Sequence, residues 1–115
     1  MNASRNRVQL IGNLGADPEV KTFDDDRKMA KFPIATNEVY NNSKGEKVQD
    51  TQWHNVVMWG KVAEIAEKYL KKGQEIAVEG KLVSRSWETK EGEKRYVTEV
   101  VANELVLLGK KEATA

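Results

Sequence analysis

Cysteine is absent from this chain of 115 residues, which removes disulfide frameworks, thiolate nucleophiles and thiolate metal sites together. Histidine is almost as scarce. His54 is the single copy, so a metal site would rest on carboxylates, and neither a His-x-x-x-His pair nor an EF-hand loop occurs. No metal and no cofactor are expected. Catalysis needs convergent acid, base or nucleophilic groups, which scattered Asp and Glu with one His do not supply, so the chain does not read as an enzyme. Long apolar runs are missing as well: none approaches the ~20 residues that span a bilayer. The start MNASRNRVQL has no apolar signal core. The expectation is a cytoplasmic protein with no membrane partner.

A marked excess of either charge is also lacking. Lys and Arg number 19 against 18 Asp and Glu, a formal net charge of +1, which argues against coating nucleic acid through bulk positive charge. Distribution then matters more than the sum. Acids gather at Asp17, Glu19, Asp24 to Asp26 and Glu88 to Glu93, whereas Lys61 to Lys72 and Lys81 to Arg85 lean basic, which leaves room for a basic stripe. Hydrophobic residues make up 39% and charged residues 32%, enough for one core in a chain of this size and too little for two. The reading is one domain over residues 1–108 and a short polar tail, GKKEATA, over 109–115.

Along the chain, RVQLIGNL (Arg7 to Leu14) alternates as a strand does, with Gly12 and Gly15 as bend or bulge residues. No helix follows and the Gly-Lys-Ser/Thr of a P-loop is missing, so backbone geometry explains these glycines better than phosphate binding. Glu19 to Phe23 is short and strand-like, and Asp24 to Asp26 reads as a turn. In Met29 to Asn37, Ala30, Phe32, Ile34 and Thr36 share one face. Tyr40 to Asp50 (YNNSKGEKVQD) has no hydrophobic period and reads as a mobile hairpin loop.

Thr51 to Trp59 is strongly β-prone, with Trp53, Asn55, Val57 and Trp59 on one face and His54, Val56 and Met58 on the other. His54 in that setting reads as a hydrogen-bonded structural side chain. Lys61 to Lys72 changes to a helical period, with Val62, Ile65, Ala66, Tyr69 and Leu70 as its stripe and Gly73 as its stop. Gln74 to Trp87 places Ile76, Val78, Gly80 and Leu82 inward and Glu79, Lys81, Val83, Arg85 and Trp87 outward. A turn at Thr89 to Glu93 leads into a last strand, Lys94 to Leu108, bent near Ala102-Asn103. The fold class is therefore all-β: a five-stranded Greek-key OB barrel with one helix between the third and fourth strands.

Aromatics are few, and three of them are informative. Tryptophans in a small domain are usually core residues, yet Trp53, Trp59 and Trp87 each fall opposite the aliphatic set of their strand. Val8, Leu10, Ile34, Val56, Met58, Ile76, Val78 and Leu82 fill the interior without them. Outward aromatics among Asn55, Lys81 and Arg85 would make a platform for stacked bases, with phosphates neutralised by nearby cations. Cover for a subunit interface is the other reading of the same residues.

The stretches VQLIGNLG, DPEV, TQWHNVVMWGK, YLKKG and RYVTEV, in that order, resemble the bacterial single-stranded DNA-binding protein family across almost the whole chain. The resemblance implies base stacking at Tyr40, Trp53, Trp59 and Trp87 and basic contacts at Lys61, Lys72 and Arg85; Arg7, Lys44 and Lys47 join the candidate phosphate contacts. It further implies sequence-independent binding of single-stranded DNA during replication, recombination and repair, a nucleoid-associated location, and a homotetramer of dihedral symmetry. Asn55 and Ser86 stand where relatives often carry basic residues. The acidic, Phe-ended tip through which relatives recruit replication and repair proteins is not matched by residues 110–115, KKEATA. A protein-interaction OB module and an RNA-binding barrel remain the alternatives.

Overall fold

The computed structural model describes residues 5–108, and among them six strands and one helix: β1 (Val8–Leu14), β2 (Glu19–Thr22), β3 (Lys28–Asn41), β4 (Lys47–Trp59), α1 (Lys61–Tyr69), β5 (Glu75–Glu88) and β6 (Lys94–Leu107). Five of these strands close on themselves. β1 pairs with β5, β5 with β6, β6 in parallel with β4, β4 with β3, and β3 returns to β1 through Asn13↔Ala35 and Leu14↔Ile34. β2 hangs outside the circuit on β3, from Glu19↔Lys31 to Thr22↔Lys28. Counted round the barrel, the helix falls between the third and fourth strands, the arrangement expected of an OB fold.

Closure needs β1 to serve two partners, β5 as far as Asn13↔Glu75 and β3 from Asn13↔Ala35 on, and Gly12 stands beside that overlap. A Cβ there would lie 2.8 Å from Ile34 Cγ2 and closer still to the Ala35 carbonyl, so only glycine lets the two backbones cross. The long β5–β6 ladder slips by one residue between Glu79↔Glu104 and Gly80↔Ala102, leaving Asn103 without a partner. Such a bulge bends a strand, and it sits at the bend the sequence indicates.

Inside the circuit lie Leu14, Ala30, Phe32, Ile34, Val56, Met58, Ile76, Val78, Val100 and Ala102, with Val8 and Leu10 packed at the margin. Burying each large member stabilises the barrel by about 1.5–3 kcal/mol. Leu82 departs from expectation: it is 47% exposed. Its partner Val100 is still in the core, but the β1 ladder stops at Val8↔Gly80 and leaves Leu82 without a neighbour on that side; past Val83↔Glu99, where the pairing with β4 also ends, β5 and β6 run on as a two-stranded arm.

The expected mobile loop over Tyr40 to Asp50 is likewise mostly ladder. β3 and β4 stay paired out to Asn41↔Lys47, and only residues 42–46 turn. Both faces of that arm meet water, so no hydrophobic period marks it as strand. Two such arms give a radius of gyration of 16.5 Å, against about 13 Å for a compact domain of roughly this length.

The helix ends at Tyr69, with Leu70 already extended, short of the expected end at Lys72. Ala63, Ala66 and Leu70 are buried at the barrel end, whereas Ile65 and Tyr69 of the expected stripe are exposed. The alanines let the helix axis settle close to the barrel, and the larger side chains point past its rim. Lys28 Nζ ties β3 to the helix through Glu67 Oε1 at 2.6 Å.

No helix among the described residues is long and apolar enough to cross a membrane. The expected tail over 109–115 lies outside the described residues.

Candidate nucleic-acid interface

The register of the ladders puts one continuous outer surface on β3, β4, β6 and β5. On β4 it carries Trp53, Asn55, Val57 and Trp59, because Val56 and Met58 between them are fully buried. Across the parallel pairing Asn55↔Glu99 and Val57↔Val101 it continues onto β6, and through Val83↔Glu99 and Arg85↔Val97 onto β5. Trp87 stands further out on the same face of the β5–β6 arm, opposite Arg95. The three indoles are 62%, 38% and 48% exposed in chain order. Trp53 and Trp59 are six residues apart on one strand, so about 20 Å separates them.

Trp53 owes its position to a second glycine. A Cβ on Gly15 would come within 2.5 Å of Trp53 Cζ3, with Pro33 Cγ at 3.4 Å, so the indole lies over the chain that leaves β1. Trp59 has other neighbours. Phe23, at the end of β2, meets it edge-on with ring centroids 5.6 Å apart, and the Arg27 guanidinium carbon lies 5.3 Å from the Trp59 centroid and 5.4 Å from that of Phe23. Sequence reading missed Phe23 and Arg27, which the turn at residues 24–26 folds beside Trp59. The available signal was an aromatic and a cation flanking a three-Asp turn next to a strand that pairs with Trp59's own.

Tyr40 is 52% exposed but does not join the indole surface. It pairs with Val48 in an unbroken β3–β4 ladder, and alternation sets it on the face of Thr36 and His54. His54 Nε2 lies 3.0 Å from Thr36 Oγ1, the structural role expected of it.

The cations divide into two groups. Lys61 at the first position of α1, Lys72 beyond its end, and Lys44 and Lys47 at the tip of the β3–β4 arm are all exposed, and the salt bridges among the described residues involve none of them. The backbone N–H of Lys72 donates to Asp17 Oδ1 at 2.8 Å, fixing where that lysine emerges.

Arg7 and Arg85 are already engaged. Arg7 Nε is 2.7 Å from Glu79 Oε2, and Arg85 donates through Nε and Nη2 to the two oxygens of Glu99, both at 3.1 Å. The Glu99 side chain is only 7% exposed. Hydrogen bonding from Arg85 holds its carboxyl below the ordinary glutamate range against the opposing effect of burial, with the charges of Arg85 and Lys31 adding to the shift. The same hydrogen bond raises Arg85. Its guanidinium carbon also lies 6.0 Å from the Trp87 ring centroid, so the ion pair braces that indole.

Fold and surface together define an OB-barrel protein that wears its tryptophans outside, on a curved sheet fringed by lysines. Residues 5–108 match the single-strand binding protein family, and the chain belongs to that family. It is 48% identical over 96% of its length to single-stranded DNA-binding protein 1 of Xylella fastidiosa, covering 82% of that protein. The protein of the same name from Chlorobaculum tepidum is 42% identical over 94% of the chain, which spans 67% of it. A relative from Neisseria meningitidis is 44% identical over 92% of the chain, which spans 61% of that longer protein. Among solved structures, the Plasmodium falciparum SSB in complex with ssDNA superposes with a TM-score of 0.84 at 31% identity, over 90% of this chain and 95% of that one.

Proposed function

We propose that the chain binds single-stranded DNA passively and without reading sequence, protecting unpaired strands during replication, recombination and repair. The observation that carries this reading is the shared outward face of Trp53, Trp59 and Trp87 on a closed barrel of this family. Bases stack on those indoles, each worth roughly 1–3 kcal/mol, and Tyr40 offers a further ring on the reverse of the β3–β4 arm. Lys61, Lys72, Lys44 and Lys47 neutralise phosphates at once; Arg7 and Arg85 do so after exchanging a carboxylate for a phosphate. Duplex DNA hides its base faces and binds poorly. Family membership, rather than any missing group, supports a non-enzymatic role.

The resemblance to the family also supports a homotetramer, replication and repair proteins as partners, and residence in the cytoplasm at the nucleoid. A row of outward residues suits assembly: Ile11↔Ala77 and Ala77↔Val106 align across β1, β5 and β6, with Ile11 and Val106 both more than half exposed.

Tryptophan emission should fall when poly-dT is added at low salt and recover as salt is raised, because added salt diminishes the counterion release that favours binding. Emission that stays constant at low salt, with no binding by a labelled oligonucleotide, overturns the reading.

A further inference from the structure

The structure assigns a phosphate-receiving role to Arg27, held beside Trp59 by Phe23 and Asp25, so that one nucleotide is gripped at both its base and its backbone. This deepens the proposed single-stranded DNA site and rests on that reading.

Three features support the assignment. The first is restraint. Arg27 Nε donates to Asp25 Oδ2 at 2.9 Å, and the Arg27 backbone N–H reaches Asp25 Oδ1 at 3.3 Å. One carboxylate thus fixes both ends of the residue, while the hydrogen bonds among the described residues leave its Nη groups unengaged. Partial desolvation pushes the Asp25 carboxyl up, but the Arg27 N–H and guanidinium outweigh it and hold the group below its ordinary value. A planar cation tethered through Nε offers its far edge, the geometry that suits a phosphate oxygen pair.

The second is placement. The guanidinium carbon lies over the Trp59 ring at 5.3 Å from its centroid, within the range of a cation–π contact. Trp59 keeps 38% of its surface open, and a base stacked there would carry its phosphate toward Arg27.

The third is rigidity. The turn is closed by Phe23 N–H to Arg27 O at 2.8 Å and Asp26 N–H to Phe23 O at 2.9 Å, and the Phe23 ring packs edge-on against Trp59. The backbone that presents Arg27 is therefore set before any ligand arrives, which limits the ordering cost of binding.

The test is anisotropy of a labelled oligo-dT titrated with protein across a salt series, using Arg27→Ala, Arg27→Lys and Phe23→Ala, with melting temperature recorded for each. For a single-strand contact, Arg27→Ala should reduce the magnitude of the log K against log salt slope by about 0.7 and weaken binding roughly three- to tenfold. Arg27→Lys should keep the slope while losing part of the affinity, since charge remains but the tethered plane does not. Phe23→Ala should weaken binding with the slope unchanged. Wild-type binding with an Arg27→Ala variant of the same affinity and slope overturns the role of Arg27 and leaves the wider site standing. A wild-type chain that does not bind overturns both.

Discussion

At the scale of single residues, charge on this surface is less available than a count of cations suggests. Arg85 reads from sequence as a free phosphate contact, yet Glu99, fourteen positions away, occupies its guanidinium through two hydrogen bonds. Nothing local to Arg85 signals that partner; only the β5–β6 register brings it close. The pairing has a stability consequence with a definite sign. A carboxyl whose native value is depressed stabilises the fold fully above its ordinary value of 4.5, and the contribution is lost as pH falls through the lowered native value. Glu99→Gln should therefore lower the denaturation midpoint at pH 7 and flatten the acid limb of the stability–pH curve. If that substitution leaves both the midpoint and the acid limb unchanged, the pair contributes nothing to stability. The freed Arg85 should in addition raise oligo-dT affinity at low salt.

At the scale of elements, the physical question is which strands had to be exceptional. β1 must serve two neighbours, and Gly12 makes the crossing possible. Gly12→Ala should cost about 1–3 kcal/mol, the usual range for overpacking a closed site, read as a lower urea midpoint with an unchanged m-value; a neutral result would mean that β3 yields at Ala35. The strands that bury one face were legible from alternation alone: Ala30, Phe32 and Ile34, then Val56 and Met58, then Ile76 and Val78. Legibility ended where burial ended. Tyr40 to Asp50 looked like a loop because an arm wetted on both sides has no reason to alternate. Leu82 looked buried because parity was carried past Gly80, where β1 ends and no longer covers that side of β5. The indole face was readable for the same reason as the core, being its complement on the same strands, whereas Phe23 and Arg27 reach Trp59 through a turn whose fold periodicity does not encode.

At the scale of the whole molecule, a barrel with two projecting arms leaves apolar surface that a lone chain does not cover. The indole side already has a ligand proposed for it. The row Ile11, Ala77 and Val106 does not: it lies on β1, β5 and β6, with Glu79 and Glu104 in the neighbouring row, and Glu79 there is engaged by Arg7. A twofold axis through such a row would set like residues of two copies against each other, the self-complementary contact that closed symmetric oligomers use. Val106 is 55% exposed, so Val106→Glu should leave the folded barrel intact, because the new carboxylate meets water. In an assembly the same change buries a charge without a counter-ion, which is strongly unfavourable. Sedimentation at micromolar concentration should then show the wild-type chain as a multiple of 13.0 kDa and the variant shifted to a smaller species, with both giving the same far-ultraviolet spectrum. A variant that keeps the wild-type mass removes this row from any interface and returns it to the ordinary exposed surface of the barrel.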